Sequence, residues 1–286
     1  MNYYSTGIVL VFSAFYAAFV FWFNGYLPFY TDEAYYYLWS RHLSMGYLDH
    51  PAMIAYAIKA ATVFGDTAQT IRTVNIVSFF GAAAFVYLSA EYLLKDKKAA
   101  VYSFFIFILS PAATMGLSIT TPDSPLVLFW SAALYFGARA FFEDKTSLYA
   151  VTGGLIGLAM LSKYTAVLIA ASLVILITIK KPKLYLTKKP YIAIVAALIA
   201  FSPTLIWNIQ NGFEGFLFQY GHGSGDGAKK LLLLEDLEFF GGMFAVFSPI
   251  FFGILLYGFI KKESYKNDKL FFAVLPALFT IVFFLY

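Results

Sequence analysis

The sequence predicts an all-α protein that crosses a membrane several times. Of its 286 residues, 61% are hydrophobic and only 13% are charged. The mean hydropathy is +0.74, whereas a water-soluble globular protein needs a more polar surface than this composition provides. The apolar residues also gather into runs that are long enough to cross a bilayer as helices. These observations favour a single transmembrane domain over residues 1–286.

Seven apolar runs are each long enough for one span, and an eighth region supplies two more. Residues 148–179 form an apolar stretch with Lys163 near its middle, which we interpret as two short helices. Residues 51–64 are too few to cross, begin at Pro51 and include Lys59, so we expect an interfacial helix there. The chain then has about nine spans. The seven single runs are 7–24, 71–94, 99–118, 125–142, 191–207, 239–260 and 270–286.

The distribution of basic residues orients these spans, because cytoplasmic loops are rich in lysine and arginine. With the N-terminus in the cytoplasm, 14 of the 20 basic residues lie on the cytoplasmic side. The outer segments are then 25–70, 119–124 and 208–237; they hold nine of the 16 acidic residues, and a tenth, Glu238, follows directly after the last segment. We therefore expect any chemistry on the extracytoplasmic face.

Several classes of function are disfavoured by what the chain lacks. It has no cysteine, which excludes thiolate chemistry, and its net charge of +4 is small, so nucleic acid is not an expected partner. The cytoplasmic links contain no nucleotide-binding motif. The last run stops within apolar sequence, so we expect that further spans and any soluble domain are missing at the C-terminus.

The densest polar cluster lies in residues 31–51, between two apolar regions. Asp32 and Glu33 are adjacent there, and neighbouring carboxylates in a partly dry site suit a general base. A solvated helix cap beside an interfacial aromatic belt is an equally good interpretation. Asp49 and His50 follow, before Pro51; they suit binding of a hydroxyl, a phosphate or a metal, although a polar turn alone explains them.

Other candidates lie on the same predicted face. Asp123 occupies a short, proline-flanked link, where it is either a functional carboxylate or a helix cap. Arg72 and Lys163 either snorkel to lipid phosphates or bind the phosphate of a lipid substrate, and Lys163 is the better candidate because it is recessed. The glycine-rich residues 208–230 surround His222 and form either a lid or a structureless connector.

These motifs together resemble the bacterial glycosyltransferase family 39-type proteins of the GT-C superfamily. The resemblance covers residues 25–225. The family includes protein O-mannosyltransferases, the aminoarabinose lipid A transferase and galacturonosyltransferases. It implies a GT-C helix bundle in the bacterial cytoplasmic (inner) membrane, with the active site facing the periplasm. The segments that carry it are TDEAYYYLWSRHLSMGYLDHP, FGDTAQTIRTVN, TTPDSPL, LSKYT and FQYGHG.

The resemblance implies an inverting transferase that moves a sugar from a polyprenyl-phosphate lipid to a hydroxyl of an extracytoplasmic acceptor, among membrane lipids. It implies that Asp32 is the general base and that the acidic residues Glu33 and Asp123 also belong to the catalytic site. Arg72 and Lys163 match positions near the donor phosphate. The remaining substrate-binding candidates are Asp49, His50, Tyr164 and His222.

Two questions stay open at this level. No cofactor is required, although Asp32, Asp123 and His50 are residue types that could hold a divalent metal. A transporter or flippase that binds the same lipid without chemistry is the alternative function. The absence of a clear internal repeat and the gathering of polar residues at one face favour an enzyme.

Overall fold

A computed structural model describes residues 3–223, 238, 240–245 and 248–285. The fold is 84% helical, and the described residues contain no strand. Five of the helices are long and apolar enough to cross a membrane. The prediction of an all-α multi-pass membrane protein is therefore confirmed.

Fifteen helices lie within the described residues. Short 3₁₀ turns follow α3 and precede α10 and α11. The helices are α1 (Tyr3–Asn24), α2 (Thr31–Arg41), α3 (Met53–Ala61), α4 (Ala68–Ile71), α5 (Thr73–Leu94), α6 (Lys97–Ile108), α7 (Pro111–Ser118), α8 (Asp123–Glu143), α9 (Thr146–Ser162), α10 (Val167–Lys180), α11 (Lys189–Gln210), α12 (Glu214–Gly223), α13 (Pro249–Ile260), α14 (Glu263–Lys266) and α15 (Asp268–Leu285).

The helices differ in two places from the organisation that the sequence predicted. The run 99–118 is not one straight helix, because α6 and α7 meet at an angle of 54°. Pro111 lacks the amide proton that would continue α6, and the Ser110 hydroxyl accepts the Ala113 amide as a cap of α7. Residues 214–223 are the second difference, since they form α12 instead of an open loop. Residues 224–237, the rest of that predicted segment, lie outside the described residues.

The bundle is built on close packing of α5, α8, α9 and α11. α8 lies between α5 and α9, and α9 packs along α11. Glycine makes the last contact possible: a Cβ on Gly153 would lie 2.0 Å from the Ala193 carbonyl oxygen, and one on Gly157 would lie 2.3 Å from that of Ala197. Small residues allow helix backbones to approach in this way within membranes.

The predicted break at Lys163 is present. α9 ends at Ser162, Lys163 has extended backbone angles, and a 3₁₀ turn leads into α10. Asp123 begins α8, so Asp123 and Lys163 lie at the same end of the bundle. The outer segment 25–70 contributes α2, α3 and α4 at that end. The polar residues of three separate segments are thereby brought to one end of the bundle.

Candidate functional site

Tyr36 lies at the centre of the converging acidic residues. Its side chain is buried in α2, and burial raises the pKa of its hydroxyl. The nearby charges of Asp49, Asp32 and Asp123 raise that pKa further. The charges of three carboxylates that are up to 91 positions apart in the sequence therefore act on one phenol. Of these, Asp32 is exposed and makes no hydrogen bond or ion pair with any described residue.

Lys163 forms the cationic part of the site. Its ammonium donates to both carboxylate oxygens of Asp123, at 2.9 and 3.1 Å. Both side chains remain accessible, with 31% of Lys163 and 55% of Asp123 exposed. An accessible ion pair of this kind is weak in water and can exchange its carboxylate for another anion. The sequence placed Lys163 and Asp123 on one face, and the structure brings them into direct contact.

His50 lies beside this pair. Burial lowers the pKa of its imidazole and the Lys163 charge also lowers it, whereas Asp49 and Asp123 act in the opposite direction. Its Nδ1 atom is buried and has no hydrogen-bond partner in the structure. The imidazole is therefore predominantly neutral at pH 7, and its buried Nδ1 atom is without a hydrogen-bond partner among the described residues.

We expect His50 to make folding less favourable in acid. Because the folded pKa is below the ordinary value of 6.5, the unfolded state binds the proton first as the pH falls. The free energy of unfolding should then decrease from about pH 6.5 downward. Replacement by glutamine, His50→Gln, should remove this part of the pH dependence in unfolding measurements at pH 5 to 8. A slope for the His50 variant equal to that of the unchanged protein would refute the assignment.

Helix α12 covers one side of the site. The Gln219 side-chain amide donates to the Asp49 carbonyl oxygen at 2.6 Å. Tyr164 packs its ring against Phe216, with ring centroids 5.3 Å apart, and its hydroxyl accepts from the Asn208 amide at 3.4 Å. Tyr164 therefore links the Lys163 break to α11 and α12. The side chain of His222, in the last turn of α12, lies outside the described part of the chain.

Glu33 and Arg72 form a separate, fully buried pair. The Arg72 guanidinium donates to the two Glu33 carboxylate oxygens at 2.9 and 2.5 Å, and both side chains are 0% exposed. Arg72 also donates to the carbonyl oxygens of Asn24, Leu27 and Pro28. The sequence predicted that Glu33 acts on substrate and that Arg72 binds the donor phosphate. Both roles require substrate contact, and this geometry gives neither side chain a surface for it.

The buried pair instead positions its neighbours. Glu33 accepts the backbone amides of Tyr30, at the start of α2, and of Thr120, three residues before Asp123. Asp32 precedes Glu33 directly in the chain. One carboxylate therefore fixes the segments that carry Asp32 and Asp123 relative to each other.

Sequence reasoning did not single out Tyr36, Asn208 or Gln219. Tyr36 is one of three consecutive tyrosines, and a pattern of tyrosines alone gives no reason to prefer one of them. Among the described residues, no group of three or more His, Asp or Glu side chains is arranged to hold a metal ion. The suggestion that Asp32, Asp123 and His50 hold a divalent metal stays a prediction.

Comparison with known proteins identifies the family. Residues 49–207, more than half of the chain, match the family described as dolichyl-phosphate-mannose-protein mannosyltransferase. The chain belongs to this family. It is a relative of the GT-C glycosyltransferases, as the sequence motifs indicated. The matched range includes Asp49, His50, Asp123, Lys163 and Tyr164, and it begins after Asp32.

A characterised relative supports the same conclusion. The lipid A galacturonosyltransferase RgtD of Rhizobium johnstonii is 28% identical over 251 residues, which are 85% of this chain and 52% of the relative. The chain therefore spans about half the length of the curated relative that it matches. No solved structure matches this one. The chain is thus, by family, a relative of the GT-C glycosyltransferases, and its apolar helices are those of a membrane protein.

Proposed function

We propose that this glycosyltransferase moves a sugar from a polyprenyl-phosphate lipid to an acceptor hydroxyl at the periplasmic face of the bacterial inner membrane. The observation that carries the proposal is an accessible Lys163–Asp123 pair together with the unpaired carboxylate Asp32, since the charges of Asp32 and Asp123 both raise the pKa of the same tyrosine, Tyr36. The name of RgtD suggests lipid A as the acceptor. The predicted side assignment of the basic residues supports the periplasmic location.

The proposed reaction needs two functions from the chain. Asp32 removes the proton from the acceptor hydroxyl as that oxygen attacks the anomeric carbon of the sugar. The bond from this carbon to the phosphate oxygen breaks, and Lys163 stabilises the negative charge of the departing polyprenyl phosphate. Attack from the side opposite the phosphate inverts the anomeric centre, as the family resemblance implies. Asp123 holds the Lys163 ammonium in place before the donor binds.

A groove beside the site suits the polyprenyl tail. It has about 720 Å³ of empty space between α3, α5 and α8, and it begins near Asp123 at Pro125. An isoprenoid chain is apolar, and in a membrane it exchanges contacts with lipid tails for van der Waals packing against the apolar side chains of the groove. The groove extends along α3 and along the outer turns of α5 and α8. Its lining includes Met53, Ala57, Ala60, Val77, Leu128 and Phe129.

Removal of the lysine ammonium, Lys163→Ala, should weaken donor binding. A hydrogen bond to a charged group contributes about 1.5–3 kcal/mol, which corresponds to a roughly tenfold to hundredfold higher Kd for the donor. Titration of purified protein with a polyprenyl-phosphate sugar measures this Kd. Lys59→Ala removes an exposed charge from nearby α3 and should have little effect. Equal donor affinities for the Lys163 variant and the unchanged protein would contradict the phosphate role.

A donor-cleavage assay tests the function as a whole. Purified protein in lipid nanodiscs is given a radiolabelled polyprenyl-phosphate sugar with lipid A, and free polyprenyl phosphate and labelled lipid A are measured. Formation of free polyprenyl phosphate and of labelled lipid A in equal amounts supports a transferase. Binding of the donor without release would indicate a lipid-binding or transport function instead. A nucleotide sugar serves as the negative control, because the proposed site faces a compartment without nucleotide sugars.

A further inference from the structure

A cleft opens at the other end of the bundle, between α10 and α11. These two helices are consecutive in the chain, yet they have almost no direct contact with each other. The link between them contains the 3₁₀ turn Pro182–Leu186, which packs against both. α8 and α9 form the floor of the cleft, which has about 750 Å³ of empty space.

The lining of the cleft is apolar and its floor is rigid. The contact of Gly153 with the Ala193 backbone holds α9 and α11 together at the base. Val174 of α10 and Ile194 of α11 lie at the mouth, where 51% and 53% of their surfaces are exposed. In a membrane these exposed side chains face lipid. The cleft is therefore open to an acyl chain from the bilayer.

Five lysines and no acidic residue lie within positions 180–189, directly beside the cleft. Two of them are neutralised: Lys180 pairs with Asp268 at 2.8 Å, and Lys189 pairs with Asp144 at 2.5 Å. Lys183 and Lys188 are exposed and form no ion pair with any residue that the structure describes. This surface thus keeps an excess of positive charge.

The basic surface and the apolar cleft adjoin each other. The Lys181 ammonium lies 4.4 Å from the centre of the Phe141 ring and donates to the Phe141 carbonyl oxygen, and Phe141 also lines the cleft. Leu184 lies beside Lys181 and Lys183 in the lysine-rich link, and it packs with Ala140 and Tyr149, which line the cleft. An anionic head group at the lysines would therefore lie directly above an acyl chain in the cleft.

We infer that the cleft between α10 and α11 binds an anionic glycerophospholipid, with its phosphate at Lys183 and Lys188 and one acyl chain on the floor formed by α8 and α9. This lipid is separate from the sugar donor. The 17-residue helix α9 places the cleft's basic end about 25 Å from Lys163. In the orientation proposed above, the lipid belongs to the cytoplasmic leaflet, where anionic head groups attract lysines.

Charge complementarity selects this occupant over a neutral lipid. Each lysine near an anionic membrane surface contributes about 1 kcal/mol. Two unpaired lysines then favour an anionic head group by on the order of tenfold or more in affinity. A zwitterionic phospholipid with the same acyl chains fills the cleft equally well, but it lacks the net charge that the lysines attract.

Native mass spectrometry of the detergent-solubilised 286-residue chain tests the inference. The probes are phosphatidylglycerol and phosphatidylcholine with identical acyl chains. We expect at least tenfold tighter binding of phosphatidylglycerol. The double substitution Lys183→Ala/Lys188→Ala should reduce this preference about tenfold, and Ile194→Trp, which narrows the mouth, should weaken binding of both lipids.

Matched controls separate a lipid site from the general basic character of this face. Lys98→Ala/Lys262→Ala removes two exposed lysines elsewhere, and Ile199→Trp adds the same bulk to another exposed position of α11. Both controls should bind as the unchanged chain does, and thermal unfolding of each protein verifies its fold. The inference is overturned if the two lipids bind equally, or if the control lysines matter as much as Lys183 and Lys188.

Discussion

The substitution Asp32→Asn should abolish sugar transfer while the protein keeps its fold and its affinity for the donor. Asparagine has nearly the same shape as aspartate, but it cannot accept a proton from the acceptor hydroxyl. General-base catalysis typically contributes a hundredfold to ten-thousandfold, so kcat should fall by about that factor. Asp32 is exposed and forms no ion pair in the described structure, so its loss leaves no buried charge without a partner.

The matched control is Asp66→Asn in the same outer segment. Asp66 is half exposed and pairs with Arg41 at 3.2 Å on the surface, away from the acidic cluster. Its substitution should leave kcat within about twofold, because exposed ion pairs contribute little. The kcat of both variants is measured as the release of polyprenyl phosphate at saturating donor. Full turnover by the Asp32 variant would contradict its assignment as the base.

The second large effect concerns stability. Arg72→Ala should reduce the free energy of unfolding by about 3–5 kcal/mol, because it leaves the Glu33 carboxylate buried without its partner. Loss of the guanidinium also frees three carbonyl oxygens that it holds between α1 and α2. Denaturant unfolding of the protein in detergent, followed by circular dichroism, measures this difference.

A surface pair provides the comparison for Arg72. Arg41→Ala removes a guanidinium that is 46% exposed, and we expect a cost below about 1 kcal/mol. The double variant Glu33→Gln/Arg72→Met has no buried charge and should be more stable than Arg72→Ala alone. A cost for Arg72→Ala no larger than that for Arg41→Ala would show that the buried pair does not hold the site together.

The sequence predicted the helical class and the end of the bundle at which polar residues meet. Both follow from patterns along the chain, namely apolar runs and the sorting of charges between loops. The break at Lys163 was likewise readable, because a charged residue interrupts an otherwise apolar stretch. The number of spans and the side of the membrane stay predictions, since the structure contains no membrane.

Ion pairs between residues that are distant in the sequence could not be predicted from the sequence. Asp32 and Glu33 are adjacent and chemically alike, yet helix geometry points one outward and the other into the protein, where it meets Arg72. In the sequence, Arg72 is an arginine beside an apolar run. That pattern is as typical of a residue that binds phosphate as of one that forms a buried ion pair. Only the buried ion pair that joins Glu33 of α2 to Arg72, at the junction of α4 and α5, distinguishes these roles. The same holds for α12, whose glycines suggested a loop although its side chains pack on α11 and the site.

The side of the membrane on which the site lies tests the proposed function most directly. A sugar carried on a lipid is required only if the site faces the exterior of the cytoplasmic membrane. The chain has no cysteine, so single cysteines report without background. Leu48→Cys lies next to Asp49, and Leu186→Cys lies in the lysine-rich link. In intact spheroplasts, a membrane-impermeant maleimide should label position 48 and should reach position 186 only after lysis. Labelling of position 186 but not position 48 in intact cells would contradict the proposed function.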